Sequence, residues 1–134
     1  MKSAPGQALL ELALCAPVVV LLMLGTVATV QVATARMGLE SATQAAAEAA
    51  ARAPDAATAL TIAHERFQGV VTDYPLQSAT VVVSVGDFGR NGQVTASSSA
   101  SIDIAWAALL SLPSRLTLRS QVILPLEPWR SHNT

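Results

Sequence analysis

A run without a single charged residue, from Leu12 to Ala35, constrains this chain more than any other feature. It contains about 24 residues, which form a helix about 36 Å long at 1.5 Å per residue. The hydrocarbon core of a bilayer is about 30 Å thick, so the run predicts a membrane-spanning helix over about residues 8–35. Glu11 lies at its start, and a carboxylate in lipid is costly unless it has a partner. Glu11 is therefore the first candidate for a functional residue.

Four kinds of N-terminal segment contain such an apolar run. A cleaved secretory signal would end at the A-x-A pattern of Ala33–Ala35, but the run is too long and Glu11 stands where positive charge belongs. A lipoprotein signal would end at Cys15, but Leu14 is not the small residue expected before that cysteine. A plain signal anchor explains the span and leaves Glu11 without a reason.

The fourth kind is a prepilin-type signal, and all its elements are present with the correct spacing. Residues 1–6 form a short leader with Lys2 as its charge, and cleavage after Gly6 makes Gln7 the new N-terminus. Glu11 is then the fifth residue of the mature chain. In a filament, the amine of one subunit and the glutamate of a neighbour pair in apolar surroundings, where each offsets the other's burial. The simpler alternative is a glutamate at the lipid headgroups, which needs no partner.

The N-terminal part of the chain resembles the TadE family, the pilin-like minor proteins of the tight-adherence (Flp) pilus system. The resemblance covers residues 6–53, GQALLELALCAPVVVLLMLGTVATVQVATARMGLESATQAAAEAAARA. The matching residues are Gly6, Gln7, Ala8, Glu11 and Pro17. Leu12 stands where the family often has Phe or Tyr. The resemblance implies cleavage by a prepilin peptidase, contact with other pilins, minor pilins and the inner-membrane assembly platform, and a role in building or anchoring the pilus.

Residues 7–53 are predicted to form one long helix. Pro17 removes a backbone hydrogen bond inside it, which predicts a kink. Beyond the membrane the sequence turns alanine-rich, and alanine is the best helix former. Its small side chains let another helix approach closely, so this part is either a packing face for pilins or merely a stable stalk. Ala53 precedes Pro54 and therefore ends the helix.

Residues 54–134 are predicted to form a small extracytoplasmic α+β head. A second short helix runs from Ala56 to about Gln68, with Asp55 as its cap and Gly69 as its end. The residues predicted to share one face of that helix are Leu60, Ala63, His64 and Phe67.

Three stretches of the head alternate with a period of two, which predicts a three-stranded antiparallel sheet packed on the helices. They are residues 78–85, 94–106 and 115–124. Asn91-Gly92 predicts a hairpin between the first two, and Pro125 and Pro128 end the third. The core-facing residues of the second stretch are predicted to be Val94, Ala96, Ser98, Ala100, Ile102, Ile104 and Trp106. The apolar segment 107–114 is either a buried loop or an exposed patch that touches the membrane or a partner, and we favour the partner.

Composition excludes several classes of function. The net charge of −1 gives no electrostatic footprint for nucleic acid. Cys15 is the one cysteine, so neither a disulfide within the chain nor a cysteine zinc site is possible. His64 and His132 have no partners at metal-ligand spacing, and no catalytic motif occurs. We therefore predict no enzyme activity, no metal and no cofactor.

The predicted function is that of a pilin-like minor subunit of a tight-adherence (Flp, type IV) pilus or secretion machine. Its helix would cross the lipid bilayer of the inner membrane once, with the N-terminus cytoplasmic and the head periplasmic or extracellular. The competing hypothesis is a signal-anchored extracytoplasmic binding module without a filament role. Only the first hypothesis requires cleavage between Gly6 and Gln7.

Overall fold

Six elements make up the fold in a computed structural model that describes residues 4–86 and 92–126. In chain order they are α1 (Ala4–Arg52), α2 (Ala56–Val71), β1 (Gln77–Val85), β2 (Gln93–Asp103), α3 (Ala105–Leu109) and β3 (Arg115–Pro125). The long helix, the second helix and the three-stranded antiparallel sheet confirm the predicted α+β class. The chain divides into two units, Met1–Ala33 and Thr34–Thr134.

The first unit consists of the N-terminal part of α1. An 18-residue window of this helix has a mean hydropathy of 2.4 and buries none of its surface in the protein. Among the described residues, α1 is the one helix long and apolar enough to cross a membrane, which indicates a single-pass membrane-anchored protein. Pro17 lies inside it, and the kink at that residue stays a prediction.

The threonines of the apolar run satisfy their own hydroxyl groups. Thr26 Oγ1 donates to the Leu22 carbonyl at 2.9 Å, and Thr29 Oγ1 donates to the Gly25 carbonyl at 2.8 Å. Side-chain hydroxyls that bond back to the preceding turn bring no unpaired donor into lipid. These residues are thus compatible with a lipid environment and do not by themselves require a protein neighbour.

In the second unit, the alanine-rich part of α1 is core. Its buried residues in the central cluster are Leu39, Ala42, Ala46, Ala50, Ala51 and Ala53, and they join Ala59, Ala63, Phe67, Val81, Val94 and Ala100. The alanines therefore pack inside the protein's own head, which differs from both predicted roles of a pilin contact and a free stalk. Small side chains allow this because they let the helix lie close to the elements that cover it.

Two contacts fix how the core part of α1 lies against the rest of the second unit. The Thr43 hydroxyl donates to the Leu39 carbonyl at 2.6 Å and forms a buried hydrogen bond with the hydroxyl of Ser98 on β2. One and a half turns earlier, Gly38 lies under the ring of Tyr74, which precedes β1. A side chain at position 38 would occupy the space of that ring.

Alanine substitutions at two helical glycines test this packing. A Cβ at Gly38 would lie 2.8 Å from Tyr74 Cδ2 and closer to Cγ, whereas a Cβ at Gly69 meets nothing within 4 Å. We expect Gly38→Ala to lower the free energy of unfolding by about 1–2 kcal/mol, because overpacking outweighs the gain in helix propensity. Gly69→Ala, the matched control, should raise it by about 0.5–1 kcal/mol. Thermal unfolding of the full chain in detergent measures both, and equal stabilisation by the two variants would contradict the Tyr74 packing.

The second helix begins as predicted and ends later. Asp55 caps α2, since its carboxylate accepts from the Thr58 backbone N–H at 2.7 Å and from the Thr58 hydroxyl at 3.0 Å. These two hydrogen bonds hold the pKa of Asp55 below its ordinary value. The prediction that Gly69 ends the helix is wrong. The helix continues to Val71, which is buried, and no described glycine has a positive φ that would mark a helix end.

The buried face of α2 is also rotated from the predicted one. Ala63 and Phe67 are buried as expected, but Leu60 is 48% exposed and His64 is exposed. The buried positions are Ala59, Ala63, Phe67 and Val71, at intervals of four residues. The prediction that Leu60 and His64 belong to this face is therefore wrong. The local pattern also allows the face that begins at Ala59, because Ala59 lies one turn before Ala63 just as Leu60 lies one turn before His64.

The sheet has the order β1-β2-β3, with antiparallel pairing throughout. The predicted core face of β2 is confirmed from Val94 to Ile102. Ser98 on that face is opposite Val81 on β1 and Ser120 on β3. The strand ends at Asp103, however, so the prediction that Trp106 belongs to it is wrong: Trp106 lies in α3.

The ends of the strands are described in part. The Gly86 N–H donates to the Gln93 carbonyl at 2.9 Å, which confirms that β1 and β2 approach each other as a hairpin. Asn91 and Pro128 lie outside the described residues, so the predicted turn type and the second proline stop stay predictions. Pro125 is the last residue of β3, as expected.

Candidate functional site

The bond predicted to be cut lies near the beginning of α1. The helix begins at Ala4, so Gly6 and Gln7 lie within its first two turns, and both are exposed. The first four N–H groups of a helix have no partner within the helix, so the turns at a helix end unwind more readily than those in its middle. A Cβ added at Gly6 would meet nothing within 4 Å. Both residues of the bond predicted to be cut are therefore exposed and not packed against the rest of the described chain.

Glu11 is placed one helical turn after Gln7. Residues at i and i+4 share a face of a helix and are separated by about 6 Å along its axis. The Glu11 side chain is exposed, and within residues 4–86 and 92–126 it has no hydrogen bond or ion pair. It is thus a carboxylate at the start of an apolar run with nothing in its own described chain to balance it.

The ion pair recorded in the described part of the chain lies further along α1. Arg36 Nε is 3.2 Å from Glu40 Oε1, and both side chains are exposed. The spacing of Glu48 and Arg52 predicts a second i,i+4 pair, but this prediction is wrong. The Glu48 carboxylate instead accepts from Gln44 Nε2 at 2.9 Å. Exposed pairs of this kind contribute little to stability, so the side chains have no strong preference between the two arrangements.

A second candidate site lies between β2 and β3. Here the chain exposes three leucines within four residues, and we call Leu109, Leu110 and Leu112 the leucine patch. Their exposed fractions are 86%, 47% and 52%. Ser111, between them, has a φ of 57°, a left-handed conformation that non-glycine residues rarely adopt. The structure therefore confirms an exposed patch in segment 107–114 and excludes a fully buried loop.

Trp106 connects this patch to the head. Its side chain is half-buried, and its indole N–H is buried without a hydrogen-bond partner among the described residues. A buried donor without a partner is uncommon in folded proteins. The sequence placed Trp106 on a strand face and therefore missed that it begins the exposed turn.

The described residues show no catalytic arrangement. No group of three or more His, Cys, Asp or Glu side chains that could hold a metal occurs among them. His64 and Cys15 are exposed, and His132 lies outside the described residues. A shallow groove of about 340 Å³ follows the end of α1, and Arg52 and Arg66 line it with Glu48. It contains no nucleophile paired with a base.

The geometry of the N-terminal segment agrees with the comparison to known families. Residues 6–52 match the family model described as TadE-like protein. This segment is TadE-like. The match begins at Gly6 and ends at the last residue of α1, so the resemblance predicted from the sequence is confirmed for the helix.

The head lies outside that match. The family model covers none of residues 53–134, which contain α2 and the whole sheet. No significant match was found among curated proteins or solved structures.

Proposed function

We propose that this protein is a pilin-like minor subunit of a tight-adherence pilus or related secretion machine. A prepilin peptidase cuts it between Gly6 and Gln7, and the mature subunit acts in assembly, initiation or anchoring of the filament. The observation that carries this proposal is the position of Glu11. It is exposed, without a partner among the described residues, and one turn after Gln7 within a TadE-like helix.

Cleavage brings Glu11 closer to the N-terminus of the helix and creates a new amine near it. Before the cut it lies about two turns from the start of α1, and after the cut it lies about one turn from the start of the mature helix. Carboxylates are favoured there because the helix dipole is positive at the N-terminus. The new amine on Gln7 is a cation about 6 Å along the helix axis from Glu11 of its own chain, so a neighbouring subunit displaced by one turn would bring its amine to the depth of Glu11. A neighbouring subunit that brings its amine to Glu11 neutralises both charges away from water.

Because the protein's own head already covers the alanine face of α1, we expect contacts between subunits to involve the first half of this helix. From residue 35 onward, one side of the helix is covered by the protein's own sheet and α2. The exposed side of that region is mostly polar, with Glu40, Gln44 and Glu48, and Met37 is its one large exposed apolar side chain. We therefore expect the apolar contacts that build a filament to involve mainly residues before 34, the segment that contains Glu11. The peptidase, the other pilins and the inner-membrane assembly platform are the proposed partners.

The proposed role is structural and not catalytic. A signal-anchored binding module would differ from the proposed pilin in keeping the bond between Gly6 and Gln7 intact. Both proteins would keep the membrane helix and the head. Only the pilin loses residues 1–6. N-terminal sequencing of the protein purified from its own host distinguishes them, since the pilin begins at Gln7.

Topology gives an independent prediction. Lys2 and the amino terminus are the positive charges before the apolar run, and by the positive-inside rule they support a cytoplasmic N-terminus. We expect residues 36–134 to be digested when protease is added to spheroplasts, with a cytoplasmic protein as the intact control. A head that resists digestion until the membrane is lysed would contradict this orientation.

A further inference from the structure

We infer that the leucine patch is a second membrane contact, which inserts into the surface of the bilayer that α1 crosses. The inference rests on the membrane anchoring in the proposed function and adds a role for the head. It commits to lipid as the occupant of the patch.

The patch has the composition of an interfacial segment. Leu109, Leu110 and Leu112 are all exposed, and no charged residue occurs between Ile104 and Ser114. Trp106 precedes the leucines, and tryptophan is enriched at the boundary between lipid and water. An apolar surface that is flanked by polar residues marks a site of contact with a membrane or a protein. Composition alone does not distinguish a membrane from a protein as the occupant of the leucine patch.

The position of the leucine patch within the second unit favours the membrane over a protein partner. The hydrogen bond between Thr43 and Ser98 aligns the core part of α1 with the middle of β2. From Ser98 to Asp103 the strand advances about 16 Å at about 3.3 Å per residue. From Thr43 back to Arg36 the helix covers about 10 Å.

The contact at Gly38 shows that the path along α1 from Thr43 to Arg36 and the path along β2 from Ser98 to Asp103 run in the same direction. Gly38 lies against Tyr74, and the Tyr74 carbonyl accepts from the Leu76 N–H at 2.8 Å, next to the start of β1. β1 begins at Gln77, which pairs with Ser101 near the end of β2. Moving toward the N-terminus of α1 therefore means moving toward the C-terminal end of β2.

The leucine patch follows directly from that end of the sheet. The Ile104 N–H donates to the Ser114 carbonyl at 2.6 Å, so the segment between them is a closed excursion beyond the last strand pair, Asp103 with Arg115. Within the second unit it thus lies on the side where the chain enters at Thr34. The charge-free run ends at Ala35, so we take the membrane surface to lie near Arg36. Along this direction the leucine patch lies at least as far from the Thr43–Ser98 contact as Arg36 does, which is the position that contact with the bilayer surface requires.

Two leucines of matched exposure provide the experiment. Leu110 is 47% exposed in the patch, and Leu60 is 48% exposed on the first turns of α2. In the full chain with Cys15→Ala, Leu110→Cys or Leu60→Cys is labelled with the dye NBD. Each protein is reconstituted at high dilution into phosphatidylcholine vesicles that contain a lipid with a nitroxide near its headgroup. We expect about twofold quenching at position 110, since interfacial segments bury their apolar side about 5–10 Å deep, and little at position 60.

Further measurements separate the outcomes. Leu109→Ser with Leu112→Ser should reduce the quenching at position 110 while circular dichroism stays unchanged, because both side chains are exposed. Vesicle flotation without quenching at 110 would overturn the inference and leave the proposed function intact. A blue shift at 110 that requires high protein density and shows no lipid quenching would assign the patch to a second copy, and also overturn it. Failure of the chain to float with vesicles would refute the membrane anchoring itself.

Discussion

Glu11→Gln is expected to abolish recovery of other pilus subunits with this protein while cleavage and membrane insertion continue. The change keeps the shape of the side chain and removes its charge. A neutral amide is less costly in lipid than a carboxylate, so insertion becomes easier if it changes at all. In the filament, however, the amine of the neighbouring subunit would be left buried and without its partner. Breaking a buried pair costs about 3–5 kcal/mol, which weakens a contact by about 100-fold or more.

The structure makes this variant a clean test. Glu11 has no partner among the described residues, so the substitution does not disturb the fold of the single chain. Glu48→Gln, which neutralises an exposed glutamate on the same helix, is the matched control and should leave recovery unchanged. The measurement is co-purification or crosslinking of the other subunits at equal membrane levels. Equal recovery with wild type and Glu11→Gln would refute the pairing and place Glu11 at the lipid headgroups.

Gly6→Leu is expected to leave the protein at its full length in a host that carries a prepilin peptidase. The resemblance to TadE proteins implies that the residue before the cut must be small. A side chain at this position meets nothing within 4 Å, so the helix itself accommodates leucine. Lost cleavage would therefore report a failure of recognition by the peptidase and not a misfolded substrate. We expect essentially complete accumulation of the uncut form, read by intact mass.

Gly25→Leu is the control for that experiment. Gly25 lies in the same helix and also has open space around its Cα, but it is far from the proposed cut. The variant should be processed like wild type. A wild-type protein that begins at Met1 or at Arg36 in such a host would contradict cleavage at Gly6. The second of these results would instead support a secretory signal that ends at Ala35.

The two halves of α1 contribute differently to these effects. Before residue 34 the helix exposes apolar side chains around its whole circumference, and its threonine hydroxyls are satisfied within the helix. After that point its alanines are buried by the protein's own head. A substitution in the first half thus tests insertion and assembly, whereas one in the second half, such as Gly38→Ala, tests the stability of the head.

Features that depend on neighbours along the chain were determined by the sequence. The membrane-length helix follows from an unbroken apolar run, and its end at Arg52 follows from Pro54. The Asp55 cap depends on a side chain three residues from its partner Thr58. The strands follow from alternation with a period of two. The spacing of Gly6, Gln7 and Glu11 is likewise local, which is why the TadE-like segment was identified before its structure.

Features that depend on distant parts of the chain were decided only by the tertiary structure. The alanine face of α1 was compatible with a pilin contact or a free stalk, and the sheet that covers it instead is formed by residues about 50 positions later. Burial of Val71 carries α2 past Gly69, and packing selects Ala59 over Leu60 for the core. Trp106 leaves the strand because α3 turns the chain back toward β3. In each case the local pattern allowed more than one arrangement, and the apolar area buried against remote residues selected one.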